Sequence, residues 1–222
     1  MNLEKPKWPD GKKCAAMLTI NLNAELFWLQ IDPSCKDMPK TLSLGQYGMT
    51  RGVDRILSIL KERGIKATFF TPGWVAEQYP DKLKKIKEEG HEIASLAYKH
   101  ENMALLTEEQ EEAMKKGIEA IQNVCGVTPV GFRAPEGELT LDTLRIAKKY
   151  GMHYSSNLCD DDRPYQKDLE DGETLLEIPI HWDNYDLPYF AFNYHPAFPK
   201  GQGRIANYTG VINNWKDEFY GC

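Results

Sequence analysis

The hydrophobic positions along the chain alternate between short continuous runs and stretches with helical spacing. Residues 14–20 form a continuous apolar run, which is typical of a strand buried on both faces. Residues 49–63 carry apolar side chains at helical spacing, and Gly64 follows as a stop signal. Residues 66–70 form a second apolar run that ends before Pro72. These patterns predict a strand, a helix and a second strand.

The alternation continues through the rest of the chain. We expect further helices over residues 81–89, 107–125 and 141–150. We expect further strands over residues 91–95, 129–132, 153–156 and 175–180. Strands and helices that alternate at least five times predict an α/β fold, in which parallel strands have helices outside them, as an open sheet or a barrel.

Polar and aromatic residues are concentrated directly after the predicted strands. In α/β barrels the chemistry lies at the C-terminal ends of the strands, so these residues are the candidates for a pocket. They are Asn21, Asn23, Glu25, Pro72, Trp74, Leu96, His100, Arg133, Glu136, residues 159–163, His181 and Asp183.

Composition and charge exclude several classes of partner. The formal charge is −6, so the chain is a poor binder of phosphate backbones and we expect no nucleic-acid partner. No apolar run approaches the roughly 20 residues that span a bilayer, and we expect no membrane partner. The five cysteines are odd in number and show no Cys-x-x-Cys spacing, which favours free thiols in a reducing cytoplasm.

Six short segments in order resemble one known family. They are Trp-Pro-Asp-Gly-Lys at 8–12, Gly-Ile-Lys-Ala-Thr-Phe-Phe at 64–70, Gly-His-Glu-Ile at 90–93, Gly-Phe-Arg-Ala-Pro at 131–135, Asp-Asp-Arg-Pro-Tyr at 161–165 and Ile-Pro-Ile-His-Trp at 178–182. Together they resemble the polysaccharide deacetylases, carbohydrate esterase family 4, and within it the intracellular branch of allantoinase-like and cyclic-imide hydrolases. The resemblance implies a distorted (β/α) barrel of about seven parallel strands in a single domain over residues 1–222.

The chemistry implied by the resemblance uses a divalent metal held by one Asp and two His, with a second Asp as general base. Asn21 occupies the position of that base, and Asn23 that of the metal-ligating Asp. Leu96 replaces the first His, whereas His100 retains the second. Because a catalytic zinc site has about three protein ligands, we expect no tightly bound metal and no other cofactor.

The resemblance also implies that Arg133 orients the aspartate that acts as general base. In this sequence Arg133 would face Asn21 and would therefore lack an anionic partner. A buried arginine without a carboxylate is costly, so we expect another group to supply the negative charge. Glu25, Glu136, Glu138 or an anionic ligand could supply the missing charge. Glu25 is also the most plausible remaining base, which gives Glu25, His100 and Arg133 as candidate catalytic residues.

The remaining candidates have structural interpretations as well as functional ones. His100 is a relic ligand, an acid–base group or a hydrogen-bonded pocket histidine. His181 with Asp183 is an acid–base pair or a structural pair. Trp74 and Trp182 line a pocket, or they pack in the core or against loops. The full set of expected pocket residues is Asn21, Asn23, Trp74, Leu96, Glu136, Asp161, Arg163, His181 and Trp182.

Three functions follow as hypotheses. The first is a metal-independent hydrolase of non-peptide carbon–nitrogen bonds in a small cyclic amide, ureide or imide. The second is a pseudoenzyme that binds a ligand or serves a structural role, and the third is a metal-dependent N-deacetylase. The final strand and helix of the family are expected to be missing after residue 222, which would leave the barrel incomplete. We therefore also expect a homo-oligomer in which a partner covers the exposed edge strand.

Overall fold

A seven-stranded sheet surrounded by helices forms the body of the computed structural model, which describes residues 8–12, 14–105, 108–200 and 206–221. Its strands lie in the order β1-β2-β3-β4-β5-β7-β6. The bounds are β1 Thr19–Asn21, β2 Thr68–Thr71, β3 Glu92–Ser95, β4 Gly131–Phe132, β5 Tyr154–Ser155, β6 Tyr165–Asp168 and β7 Thr174–Glu177. A separate two-stranded hairpin comprises β8 Asn193–Tyr194 and β9 Ala197–Phe198.

The helices among the described residues include the four that the sequence predicted and others that it did not. They are α1 Leu26–Ile31, α2 Pro39–Tyr47, α3 Val53–Arg63, α4 Gly73–Gln78, α5 Pro80–Glu88, α6 Gln110–Cys125, α7 Leu141–Lys149, α8 Leu187–Phe190 and α9 Tyr208–Gly221. The expected start of α6 at residue 107 lies outside the described residues. Among the described helices, none combines the length and the apolar character that a bilayer crossing requires.

The two faces of the sheet have different neighbours because successive side chains of a strand point in opposite directions. Phe69 and Ile93 belong to a core cluster that also contains residues of α3 to α6. Phe70 and Ala94 form a second, smaller cluster with Leu96, against which Tyr154 packs. This second cluster adjoins the candidate residues, since Leu96 is one of them and Arg133 stacks over Phe70.

Gly131 in β4 permits one close approach within this second face. A Cβ atom at this position would lie 2.1 Å from Cζ of Tyr154. The tyrosine ring therefore fills the space beside β4 that a side chain would need, which explains a glycine in a short buried strand.

The α/β class and the mostly parallel sheet of about seven strands are confirmed. Six strands run parallel, and β6 pairs antiparallel with β7. Within the part of the chain that the structure describes, the barrel is not closed, since β1 and β6 each pair on one side only.

The predicted first strand was wrong in its extent. The observed strand is Thr19–Asn21, and Leu18 adds one backbone bond to Thr68 of β2. Met17 is 57% and Leu18 50% exposed. The physical reason is position: this segment leads into an edge strand, so no described strand covers its outer side. The last predicted strand is shorter than expected and ends at Glu177.

Candidate functional site

The candidate site lies where β1, β3 and β4 end. Asn21 closes β1, and Asn23 follows it two residues later. Leu96 follows β3 directly, and Arg133 follows β4. His100 lies on the loop after β3 with φ of 62°, in the left-handed region that few side chains adopt.

Arg133 is buried and bound almost completely by neutral oxygen acceptors. Its Nε donates to the Ser156 carbonyl at 3.0 Å, and its Nη2 donates to the Ser156 hydroxyl at 2.9 Å. Its Nη1 donates to Thr19 Oγ1 and to Asn21 Oδ1, both at 3.0 Å. The guanidinium also stacks over Phe70, 4.1 Å from the ring centroid. These four bonds occupy four of the five N–H groups of an arginine.

The expected carboxylate partner of Arg133 is absent among the described side chains. No described acid lies within ion-pair distance of it. Burial lowers the pKa of its guanidinium, and the charge of the buried Glu177 opposes that shift without a direct contact. Glu138 is exposed. The side chain of Glu136 lies outside the described part, although its backbone belongs to the short helical turn Pro135–Gly137.

Glu25 is held elsewhere. Both of its carboxylate oxygens accept from the Tyr79 hydroxyl, at 3.0 and 2.8 Å. Burial, the Glu25 bond and the Glu25 charge raise the pKa of Tyr79, so this hydroxyl stays a donor. The structure therefore does not bring Glu25 into hydrogen bonding with Arg133, as partner or as base.

The Arg133 contact fixes the orientation of the Asn21 carboxamide. A guanidinium can only donate, so the atom that faces it is the amide oxygen. The Asn21 side chain, which is exposed, then directs its NH₂ group away from Arg133. Nearby along the chain, Asn23 Oδ1 is buried without a hydrogen-bond partner. The two asparagines thus offer one free donor and one unsatisfied acceptor.

His100 is a neutral imidazole in this structure. It is 3% exposed, and burial lowers its pKa to about 4. Its Nδ1 atom is buried and has no hydrogen-bond partner. The ring of Phe27 packs edge-on against it, with ring centroids 6.3 Å apart. An uncharged ring with an unsatisfied nitrogen can accept a proton or a hydrogen bond from a bound molecule.

The residues at these positions do not fit a divalent metal ion. Leu96 is 1% exposed and packs with Phe70 and Ala94, where it offers no donor atom. Asn23 supplies a neutral oxygen, which is a weak ligand for zinc, and His100 supplies one nitrogen. In the described residues, no three His, Cys, Asp or Glu side chains are grouped in a way that could hold an ion.

The candidates between residues 161 and 183 form no described bond with Arg133 or His100. Asp161 accepts from the Arg163 Nε at 3.1 Å, and this pairing lowers the pKa of the Asp161 carboxyl. His181 bonds Asp162 at 2.9 Å and lies 3.9 Å from Asp183, so its nearest acid is not the one expected.

The two candidate tryptophans occupy different surroundings. Trp74 packs against the cluster between the sheet and the helices, which supports its structural interpretation. Trp182 is 67% exposed, so it does not pack in the core. Neither ring forms a described contact with Arg133 or His100.

Four residues of the site escaped the sequence-based selection. Ser156 and Thr19 bind Arg133, Tyr79 binds Glu25, and Phe27 covers His100. Ser156 is the last residue of a predicted strand and follows the shorter observed strand β5, so a rule that included the final strand residue could have found it. The other three become evident only when distant segments meet.

Comparison with known proteins agrees with this architecture. A structure assigned as a polysaccharide deacetylase from Mycobacterium smegmatis matches with a TM-score of 0.89 and 36% identity, over 96% of this chain and 74% of that one. PuuE allantoinase matches with a TM-score of 0.76 and 25% identity, over 98% of this chain and 75% of that one.

Sequence comparison gives the family. A peptidoglycan deacetylase from Helicobacter pylori is 31% identical over 94% of this chain and 78% of its own length. The family model described as Polysaccharide deacetylase matches residues 40–155. The chain belongs to the polysaccharide deacetylase family.

Proposed function

We propose that this chain hydrolyses a non-peptide carbon–nitrogen bond in a small cyclic amide, ureide or imide without a metal ion. The observation that carries the proposal is the bond from Arg133 Nη1 to Asn21 Oδ1 at 3.0 Å. It turns an N–H donor outward at the position where the family resemblance implies an ionised base.

The hydrogen-bonding groups of the site complement a neutral amide. A cyclic amide or ureide presents a carbonyl acceptor next to an N–H donor. Asn21 offers the donor and Asn23 Oδ1 the acceptor that such a group requires. Satisfying the buried Asn23 oxygen would recover the cost of an unpaired polar group, about 1–3 kcal/mol. The structural likeness to an allantoinase supports a ureide, because allantoin is a cyclic ureide.

His100 is the group that we assign to proton transfer. Its Nδ1 takes a proton from water as the water oxygen bonds to the carbonyl carbon, and the Asn21 N–H stabilises the developing oxyanion. The carbon–nitrogen bond then breaks, and the leaving nitrogen takes the proton from His100. A base with a pKa of about 4 is weak at neutral pH, so we expect slow turnover.

One observation favours a second candidate, a ligand-binding protein without turnover. Glu25 is the only acid in residues 21–25; it is bound by Tyr79 and does not contact Asn21 among the described bonds. A metal-dependent N-deacetylase agrees with the named activity of the Helicobacter pylori relative, but the donor set at Asn23, Leu96 and His100 opposes it.

The test measures hydrolysis of hydantoin, allantoin and succinimide after treatment with a chelator. We expect turnover that survives chelation and is lost in His100→Asn. Asparagine is the chosen replacement because it tolerates the positive φ at this position. His153→Asn is the matched control, because His153 is exposed and outside the site. Binding without turnover would favour the second candidate.

Two further results would change the assignment. Turnover that requires added zinc would overturn the metal-free mechanism. Loss of turnover with intact ligand binding in Glu25→Gln would make Glu25 the base after all.

A further inference from the structure

We propose that the β8–β9 hairpin is a cover whose Phe198 side chain, packed on Phe27, closes the His100 side of the site and excludes polymeric glycans. The size of the excluded ligand rests on the proposed function, whereas the cover itself does not. Phe198 and Phe27 are then specificity-determining residues, and Thr41 is a positioning residue.

The hairpin is fastened to α2 by a buried polar cluster. Thr41 Oγ1 donates to the His195 carbonyl at 3.0 Å. The Asn193 amide nitrogen donates to the same carbonyl at 2.9 Å and to Thr41 Oγ1 at 3.2 Å. Thr41 is 4% and Asn193 9% exposed. Polar groups bonded to each other at this burial hold the hairpin in one position, because opening it would leave them unpaired.

An aromatic series leads from the hairpin to the site. The ring of Phe198 packs edge-on against Phe27, with centroids 5.2 Å apart, and against Trp28 at 6.2 Å. Phe27 in turn contacts the His100 ring. Each pair has the edge-to-face geometry that stabilises aromatic contacts. The hairpin therefore reaches the site through a single intervening ring.

The cover accounts for the burial of His100. The residue lies on a loop between β3 and α6, where side chains ordinarily meet water. It is nevertheless 3% exposed, and its Nδ1 has no partner. A small flat ring needs less room to reach this nitrogen than a polymer does. A polysaccharide extends beyond the reacting sugar in both directions and needs an open groove, which an aromatic wall beside His100 obstructs.

The test compares Phe198→Ala with Phe190→Ala as a matched control. Phe190 stacks on Tyr208 in a separate aromatic group and has no described contact with Phe27. The first readout is the rate at which diethyl pyrocarbonate acylates His100, located by peptide mass analysis. His91 serves as the internal reference, because it is 7% exposed and packs on Phe69 away from the hairpin.

We expect acylation of His100 to accelerate about tenfold or more in Phe198→Ala through easier local opening, with His91 and the control variant unchanged. Equal His100 rates in Phe198→Ala and the wild type would overturn the cover. Should Phe198→Ala fail to fold, Thr41→Val decides, because it releases the hairpin and keeps every aromatic ring.

The second readout is binding of hydantoin and of chitotetraose by calorimetry. We expect the wild type to bind only hydantoin and Phe198→Ala to gain chitotetraose binding. Faster acylation without that gain would overturn the exclusion of polymers. If the wild type binds neither compound, the proposed function fails, while the acylation rates still decide whether the hairpin covers His100.

Discussion

Asn21→Asp should stabilise the folded chain without any metal. The buried guanidinium of Arg133 has only neutral acceptors, and one of them is the Asn21 oxygen at 3.0 Å. A carboxylate in that place forms an ion pair with a charge that the fold already buries. The cost of burying Arg133 is common to both proteins, so only the new attraction and the hydration that the new carboxylate loses decide the change in stability.

The magnitude follows from distance and exposure. Two unit charges about 4 Å apart interact by about 4 kcal/mol at an effective dielectric constant of 20. Asn21 is exposed, so water screens the ion pair. The new carboxylate also loses part of its hydration where it contacts the guanidinium. We expect a net gain of about 1–2 kcal/mol in the free energy of unfolding at pH 7.

The gain should depend on pH with a defined sign. Arg133 will hold the pKa of the new carboxyl below the value of about 3.9 in the unfolded chain. The extra stability is therefore present above that unfolded pKa and disappears as the pH falls through the lower folded pKa. Urea unfolding followed by tryptophan fluorescence at pH 7, 4 and 3 measures the difference between variant and wild type.

Two controls isolate the contact. Asn23→Asp places a carboxylate where the side-chain oxygen is buried and lacks a bond to Arg133, so it should not stabilise. Asn21→Asp in an Arg133→Met background should lose the gain. An equal gain in that background, or no gain in the wild-type background, would refute the reasoning.

Three further predictions test the fold and the donor set. Gly131→Ala should cost about 3 kcal/mol or prevent folding, because its Cβ would lie 2.1 Å from the Tyr154 ring; thermal unfolding measures this cost. Burial lowers the pKa of His91, whose Nδ1 accepts from the Ala67 amide. The free energy of unfolding should therefore fall as the pH drops below the unfolded pKa of about 6.5 towards the lower folded pKa. Urea unfolding should show a smaller loss of stability between pH 7.5 and 5 in His91→Asn. A triple variant combines Asn21→Asp, Asn23→Asp and Leu96→His. We expect it to bind zinc in calorimetry, whereas the wild type should show no binding. An unchanged heat of binding would mean that these positions do not correspond to the metal ligands of the family.

The sequence predicted the elements that are determined locally. Strand β2 and helix α3 were predicted because apolar runs and helical spacing mark them directly. Strand β6 was missed because Tyr165–Asp168 has little apolar content and depends on pairing with β7. The expected burial of residues 14–18 failed for a related reason, since a strand's position within the sheet does not follow from its own composition.

The site was predictable in its location but not in its contacts. The strand-end rule selected Asn21, His100 and Arg133, and the structure joins the first and the last directly. The bond between Glu25 and Tyr79 spans 54 positions of the chain, and no local pattern indicates it. Partners of this kind are set by packing between helices, which is why the base could not be chosen from the sequence.

The surroundings of Arg133 explain how the arginine is accommodated although Asn21 replaces the aspartate that it would orient. Ser156, Thr19 and Asn21 satisfy four of its donors, and the ring of Phe70 covers its face. A guanidinium bound in this way joins β1, β4 and the end of β5, so it stabilises the sheet independently of any reaction. Retention of Arg133 is therefore weak evidence for deacetylation. More informative are two of the buried atoms that lack a hydrogen-bond partner, Asn23 Oδ1 and His100 Nδ1, because only a bound molecule or water can complete their hydrogen bonding without rearranging the fold.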